Sequence, residues 1–172
     1  AIIIGIFMLQ QLGTTTVGKS FGPIMLIWFG MLATFGIYYI LQDPTILRAL
    51  SPHYAIQMIF NHPGGFWLLG AIFLCTTGAE ALYSDLGHVG KENIRVSWVF
   101  VKVMLILNYL GQGAWVLKNH ETVQNGGINP FFGVMPEWML IPGIVIATAA
   151  AIIASQALIT GSFTIFSEAM SL

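Results

Sequence analysis

Glu80 follows GFWLLGAIFLCTTGA, Gly65 to Ala79, fifteen residues without a charge. A carboxylate at mid-depth in a bilayer costs roughly 2.5–3.5 kcal/mol on insertion scales, so such residues usually face a bundle interior or a water-filled path. Thr76, Thr77, Glu80, Tyr83, Ser84 and Gly87 recur at three- and four-residue steps, which on a helix places them along one face. Hydroxyls, a phenol and a carboxylate on one face form an oxygen-rich lining suited to a dehydrated monovalent cation, and the carboxylate adds a titratable proton. Gly78 and Gly87 bracket the group and allow the helix to unwind, freeing backbone carbonyls as further ligands. The alternative is structural. Each hydroxyl then bonds its own helix carbonyl, the glycines permit close packing, and Glu80 sits solvated at the membrane edge.

Two further polar groups stand out. Asn108 and Gln112 are four residues apart, with Tyr109 beside them, and buried amides serve either as interhelical glue or as ligands of a polar path. Gln156 is a large amide in an apolar stretch that also holds Thr148, Ser155, Thr160 and Ser162; it requires a partner, whereas the small residues around it suit packing. Other chemistry finds no support. Gly90-Lys91-Glu92 lacks the glycine run and the Ser/Thr of a phosphate loop, and His120-Glu121 lacks the second histidine of a zinc-protease helix. His53, His62, His88 and His120 fall in or near loops without metal-ligand spacing. Cys75, the single cysteine, reads as a small buried hydrophobe. No enzyme and no cofactor are expected.

The elements that must position these residues are membrane spans. The chain is 56% hydrophobic and 8% charged, where soluble domains carry about 25% charged residues, and its mean hydropathy is +0.82. Net charge is −1 with no basic patch, which argues against a nucleic-acid partner. Apolar segments are marked at about 1–12, 21–41, 65–86, 96–117 and 138–166. The last is long enough to tilt or break, and Lys102 in the fourth can snorkel to the nearer interface. Breakers punctuate 42–64 (Asp43-Pro44, Ser51-Pro52, His62-Pro63) and 118–137 (Asn125-Gly126-Gly127, Asn129-Pro130), with Pro52 to Phe60 a candidate interfacial helix. If the connections alternate sides, Lys19, Lys91 and Arg95, with Lys102 close by, lie on one side, and Arg48 and Lys118 on the other, with Asp43, Glu121 and Glu137. The basic excess favours the Lys19–Lys91 side as cytoplasmic. A chain that opens and closes within apolar stretches reads as a piece of a larger protein.

Several blocks together resemble the KUP/HAK/KT potassium transporters: Thr77-Gly78-Ala79-Glu80-Ala81-Leu82-Tyr83-Ser84-Asp85-Leu86-Gly87-His88-Val89-Gly90, Gly22-Pro23-Ile24-Met25-Leu26-Ile27-Trp28-Phe29, Asn108-Tyr109-Leu110-Gly111-Gln112-Gly113-Ala114, Asn129-Pro130-Phe131-Phe132 and Ile153-Ala154-Ser155-Gln156-Ala157. The blocks follow the family's order over essentially the whole chain. The resemblance implies an all-α integral membrane protein with a twelve-helix, inverted-repeat architecture of the amino-acid–polyamine–organocation (LeuT-like) kind. Residues 1–172 then form part of one transporter domain, the partial fourth helix through the eighth. The first and third helices and a cytosolic C-terminal domain lie elsewhere.

The implied activity is multi-pass, plasma-membrane K⁺ uptake coupled to H⁺ by alternating access, with a homodimer among the expectations for the full-length protein. By the same resemblance Thr77 and Glu80 approach the K⁺ ion. Glu80, Tyr83 and Asp85 are candidates for ion binding or proton coupling, Asp85 also for gating or capping. Thr76, Ser84, Asn108, Gln112 and Gln156 are candidates for a polar path. The rival readings are a passive channel-like pore, an amino-acid carrier of the same fold and a structural membrane subunit. Pores favour symmetric rings of ligands, and an acidic residue opposes binding of a substrate carboxylate.

Overall fold

A computed structural model describes residues 14–75, 91–124 and 127–171. Every regular element among the described residues is helical: α1 (Thr14–Gln42), a 3-10 helix (Pro44–Leu50), α2 (Pro52–Asn61), α3 (Gly65–Cys75), α4 (Lys91–Lys118), α5 (His120–Gln124), α6 (Pro130–Gly133) and α7 (Glu137–Ser171). Among the described residues three stretches are long and apolar enough to cross a membrane, Phe21–Gln42, Glu92–Lys118 and Glu137–Phe163. A bilayer offers no water to unpaired amides, which is why such segments close their hydrogen bonds within a helix. α3 is apolar but short, and the rest of the span expected over 65–86 lies outside the described residues.

The prolines that mark breaks in the sequence start helices here. Pro44, Pro52 and Pro130 each occupy the first turn of an element, where the missing amide hydrogen costs nothing. Asp43 caps the 3-10 helix by accepting from the Thr45 amide at 3.1 Å, and Asn129 caps α6 by accepting from Phe131 at 2.9 Å. The connection 42–64, read as a loop with one short helix, is therefore almost wholly helical. The link expected over 13–20 belongs largely to α1, which begins at Thr14. α7 is continuous despite its length, with Pro142 near its start.

α1 is the hub, packing along α4 and more briefly against α7. Its core joins Met31 and Leu32 to Trp115 of α4 and to Val134 and Met135 after α6. Lipid tails are as apolar as leucine, so helices in a membrane associate through close packing rather than through expulsion from water. Gly36 and Gly111 supply that closeness. A β-carbon on Gly36 would collide with the Leu107 carbonyl and lie 2.9 Å from the Asn108 nitrogen, and one on Gly111 would collide with the Gly36 backbone.

Contacts fix the directions. Phe29 meets Phe100, Gly36 meets Leu107 and Gly111, and Gln42 accepts from Lys118 Nζ at 3.1 Å, so α1 and α4 run parallel. Along α7 the order reverses: Trp138 shares a cleft with Tyr38 and Tyr39, while Gly143 lies near Met31. Gln42, Lys118 and Glu137 thus mark one end of the bundle, and Thr14 and Lys91 the other.

Candidate functional site

Thr76, Thr77, Glu80, Tyr83, Ser84 and Asp85 lie outside the described residues. α3 leads directly into that segment, ending at Cys75. The other expected polar positions can be placed. Among the described residues, Asn108 (5% exposed) and Gln156 (7%) are the buried polar side chains, within a molecule whose outward face carries residues such as Leu41 and Trp67. This inside-out polarity is what a bilayer selects, since an amide in hydrocarbon must find a partner or face a protected interior.

Asn108 sits where α4 presses against Gly36 of α1. Its Oδ1 accepts from Gln112 Nε2 at 3.1 Å, one turn further along α4, so the two amides form a unit rather than two independent ligands. Gln156 is engaged by a neighbour, and among the described residues no buried side-chain nitrogen or oxygen lacks a partner. The structure therefore brings Asn108 and Gln112 together on α4, while Gln156 belongs to α7. The hydroxyls around Gln156 behave as a helix interior dictates: Thr148 donates to the Ile144 carbonyl at 2.8 Å and Ser155 to that of Ala151 at 2.8 Å. Ser162 donates to the Leu158 carbonyl at 2.9 Å.

Three features have little signature in the sequence. The Gln42–Lys118 bond joins residues far apart in the chain, and only the parallel packing of α1 on α4 makes them neighbours. Lys102 Nζ stands 3.4 Å from the centroid of the Trp98 ring, one turn toward the start of α4; the four-residue spacing was the available signal. A cleft of about 350 Å³, lined by Phe35, Tyr38, Tyr39, Val134, Pro136 and Trp138 among others, opens between α1 and the start of α7. Among the described residues, no three His, Cys, Asp or Glu side chains gather as a metal site.

Apolar spans, helix contacts built on glycine and buried amides define an integral membrane protein. Residues 1–172 match the family model for the K⁺ potassium transporter integral membrane domain. Relatives described as probable potassium transport system protein Kup include one from Cytophaga hutchinsonii, 58% identical over 100% of this chain and 27% of its own length. One from Flavobacterium psychrophilum is 55% identical over 100% and 27%; one from Enterococcus faecalis is 54% identical over 99% and 26%. The chain belongs to the K⁺ potassium transporter family. It spans about 27% of the length of the first of these relatives. No solved structure matches it.

Proposed function

We propose that this chain is part of a K⁺ uptake transporter of the plasma membrane, moving K⁺ with H⁺ by alternating access. The observation that carries the reading is the family match across all 172 residues, joined to relatives described as potassium transport proteins. In this proposal the spans belong to a LeuT-like inverted-repeat fold as its fourth to eighth helices, and the segment after Cys75 forms part of the ion site. Thr77 and Glu80 contact K⁺, with Tyr83 and Asp85 close to the ion or to the coupled proton. Further ligands come from parts of the protein beyond residues 1–172. Asn108–Gln112 and Gln156 shape the polar interior beside this path.

A carboxyl group can couple the two fluxes for an elementary reason. Desolvation raises its pKa and a neighbouring cation lowers it. For cotransport desolvation has to outweigh the cation, so that the carboxyl carries its proton inward beside K⁺ and gives it up when the site opens to water on the cytoplasmic side. Glu80 is the candidate for that role within this chain.

The test is rubidium-tracer uptake with simultaneous internal pH in K⁺-starved cells expressing the parent protein, intact or as Glu80→Gln. Intact protein is expected to take up rubidium and acidify the cell, and equally expressed Glu80→Gln to do neither. Uptake without acidification would confine Glu80 to proton coupling. Unchanged behaviour in both would remove it from the path.

A further inference from the structure

Arg95, Val99, Lys102 and Ile106 follow at four-, three- and four-residue steps along α4, and so form one stripe. At 3.6 residues per turn the stripe falls on the side of α4 roughly opposite Asn108, Gly111 and Trp115, which face α1 and its core. Its four side chains are exposed. Its cations are hardly neutralised. Arg95 pairs with Glu92 at 3.9 Å, with both side chains mostly exposed, a geometry that contributes little. Among the described residues Lys102 has no carboxylate partner, and its amine lies over Trp98, drawn toward the end of the helix that carries Arg95.

Depth supports the same reading. The 27-residue span Glu92–Lys118 is about 40 Å long at 1.5 Å per residue, against about 30 Å of hydrocarbon. Its first residues therefore stand at headgroup level, and Lys102 lies below them within snorkelling reach. An indole at this level is typical of the membrane interface. Between and beneath the cations the surface is apolar, with Val99, Val103 and Ile106 all exposed.

We propose that this stripe binds an anionic phospholipid. Arg95 and Lys102 hold the phosphodiester, Trp98 orients the lysine and flanks the headgroup, and Val99, Val103 and Ile106 receive an acyl chain. The charge pattern selects the partner: a zwitterionic lipid returns a cation to the same place, whereas an anionic one brings net negative charge to the two basic groups.

The experiment is native mass spectrometry of the detergent-purified parent protein mixed with equal amounts of phosphatidylglycerol and phosphatidylcholine. Wild type is expected to retain phosphatidylglycerol several-fold over phosphatidylcholine. Arg95→Gln and Lys102→Gln should each reduce that ratio about fivefold, as expected for removing one basic residue near a membrane surface, and Lys102→Arg should preserve it. Millimolar inorganic phosphate should leave retention unchanged. No preference in wild type would overturn the proposal, as would a ratio unaltered in the double glutamine variant, which is the outcome if another segment covers the stripe. Competition by inorganic phosphate would instead identify a site for free anions and equally sink the lipid assignment.

Discussion

At the residue scale, the Asn108–Gln112 pair shows how one amide pattern admits two readings. From spacing alone the amides serve as glue or as ligands. The structure buries Asn108 against α1 and uses its Oδ1 to accept from Gln112. Removing a buried partner leaves the other group unsatisfied, at roughly 1–3 kcal/mol in water-soluble proteins, while coupling between such groups in membrane proteins averages about 0.6 kcal/mol. Asn108→Ala should therefore lower stability by about 1–2 kcal/mol. Adding Gln112→Ala should cost less than its effect alone, a shortfall of about 0.6 kcal/mol. Thermal unfolding in detergent for the two single variants and the double variant checks this; strictly additive effects would mean the amides act independently. Glu80 stands out in the sequence because a carboxylate after an apolar run is conspicuous without any tertiary information, but Thr77 and Glu80 lie outside the described residues.

At the scale of elements, the spans were legible and their contacts were not. Phe21–Gln42, Glu92–Lys118 and Glu137–Phe163 lie within a few residues of the segments read from hydropathy, since length and lack of charge are local properties. The glycine contact between α1 and α4 is different. Nothing in the sequence distinguishes Gly36 from Gly22 or Gly30, yet a β-carbon on Gly36 meets backbone, whereas one on either of the others meets nothing within 4 Å. Gly36→Ala and Gly111→Ala should each destabilise by about 1–3 kcal/mol, the range for overpacking, because backbone cannot move aside as a side chain can. Gly30→Ala should be neutral or stabilising by up to about 1 kcal/mol, through helix propensity alone. Melting temperatures of the three variants in one detergent decide it; equal losses at Gly30 and Gly36 would remove the close approach as the cause.

At the scale of the whole molecule, direction is the principal result. Parallel α1 and α4 place Gln42 and Lys91 at opposite ends of the bundle, and the span expected over 65–86 lies partly outside the described residues. The same geometry groups Arg48 with Lys118 and opposes them to Lys91 and Arg95, matching the sides assigned by alternating the connections. In a cysteine-free background of the parent protein, with Cys75→Ser among the changes, Ser51→Cys and Glu121→Cys should react with a membrane-impermeant thiol reagent from the same side of sealed vesicles, and Glu92→Cys from the opposite side. By the basic bias, Glu92→Cys should react from the cytoplasm. Labelling of Glu92→Cys and Glu121→Cys from one face would contradict the parallel arrangement.

By itself the sequence determined that the chain is a helical membrane protein, where three of its spans run, and through its motif blocks which family it belongs to. These follow from local demands: hydrocarbon forces backbone amides to pair within a segment, so composition over about twenty residues is sufficient. Tertiary structure alone decided that Gly36 and Gly111 bring the backbones of α1 and α4 together, that Gln42 reaches Lys118, and that α1 is the hub between α4 and α7. It also showed that Arg95 and Lys102 share an outward stripe facing away from that hub. Such facts depend on which faces meet, and in a bilayer most faces are apolar, so hydrophobic patterning cannot rank them. Packing shape selects among them, through small residues brought together from distant parts of the chain.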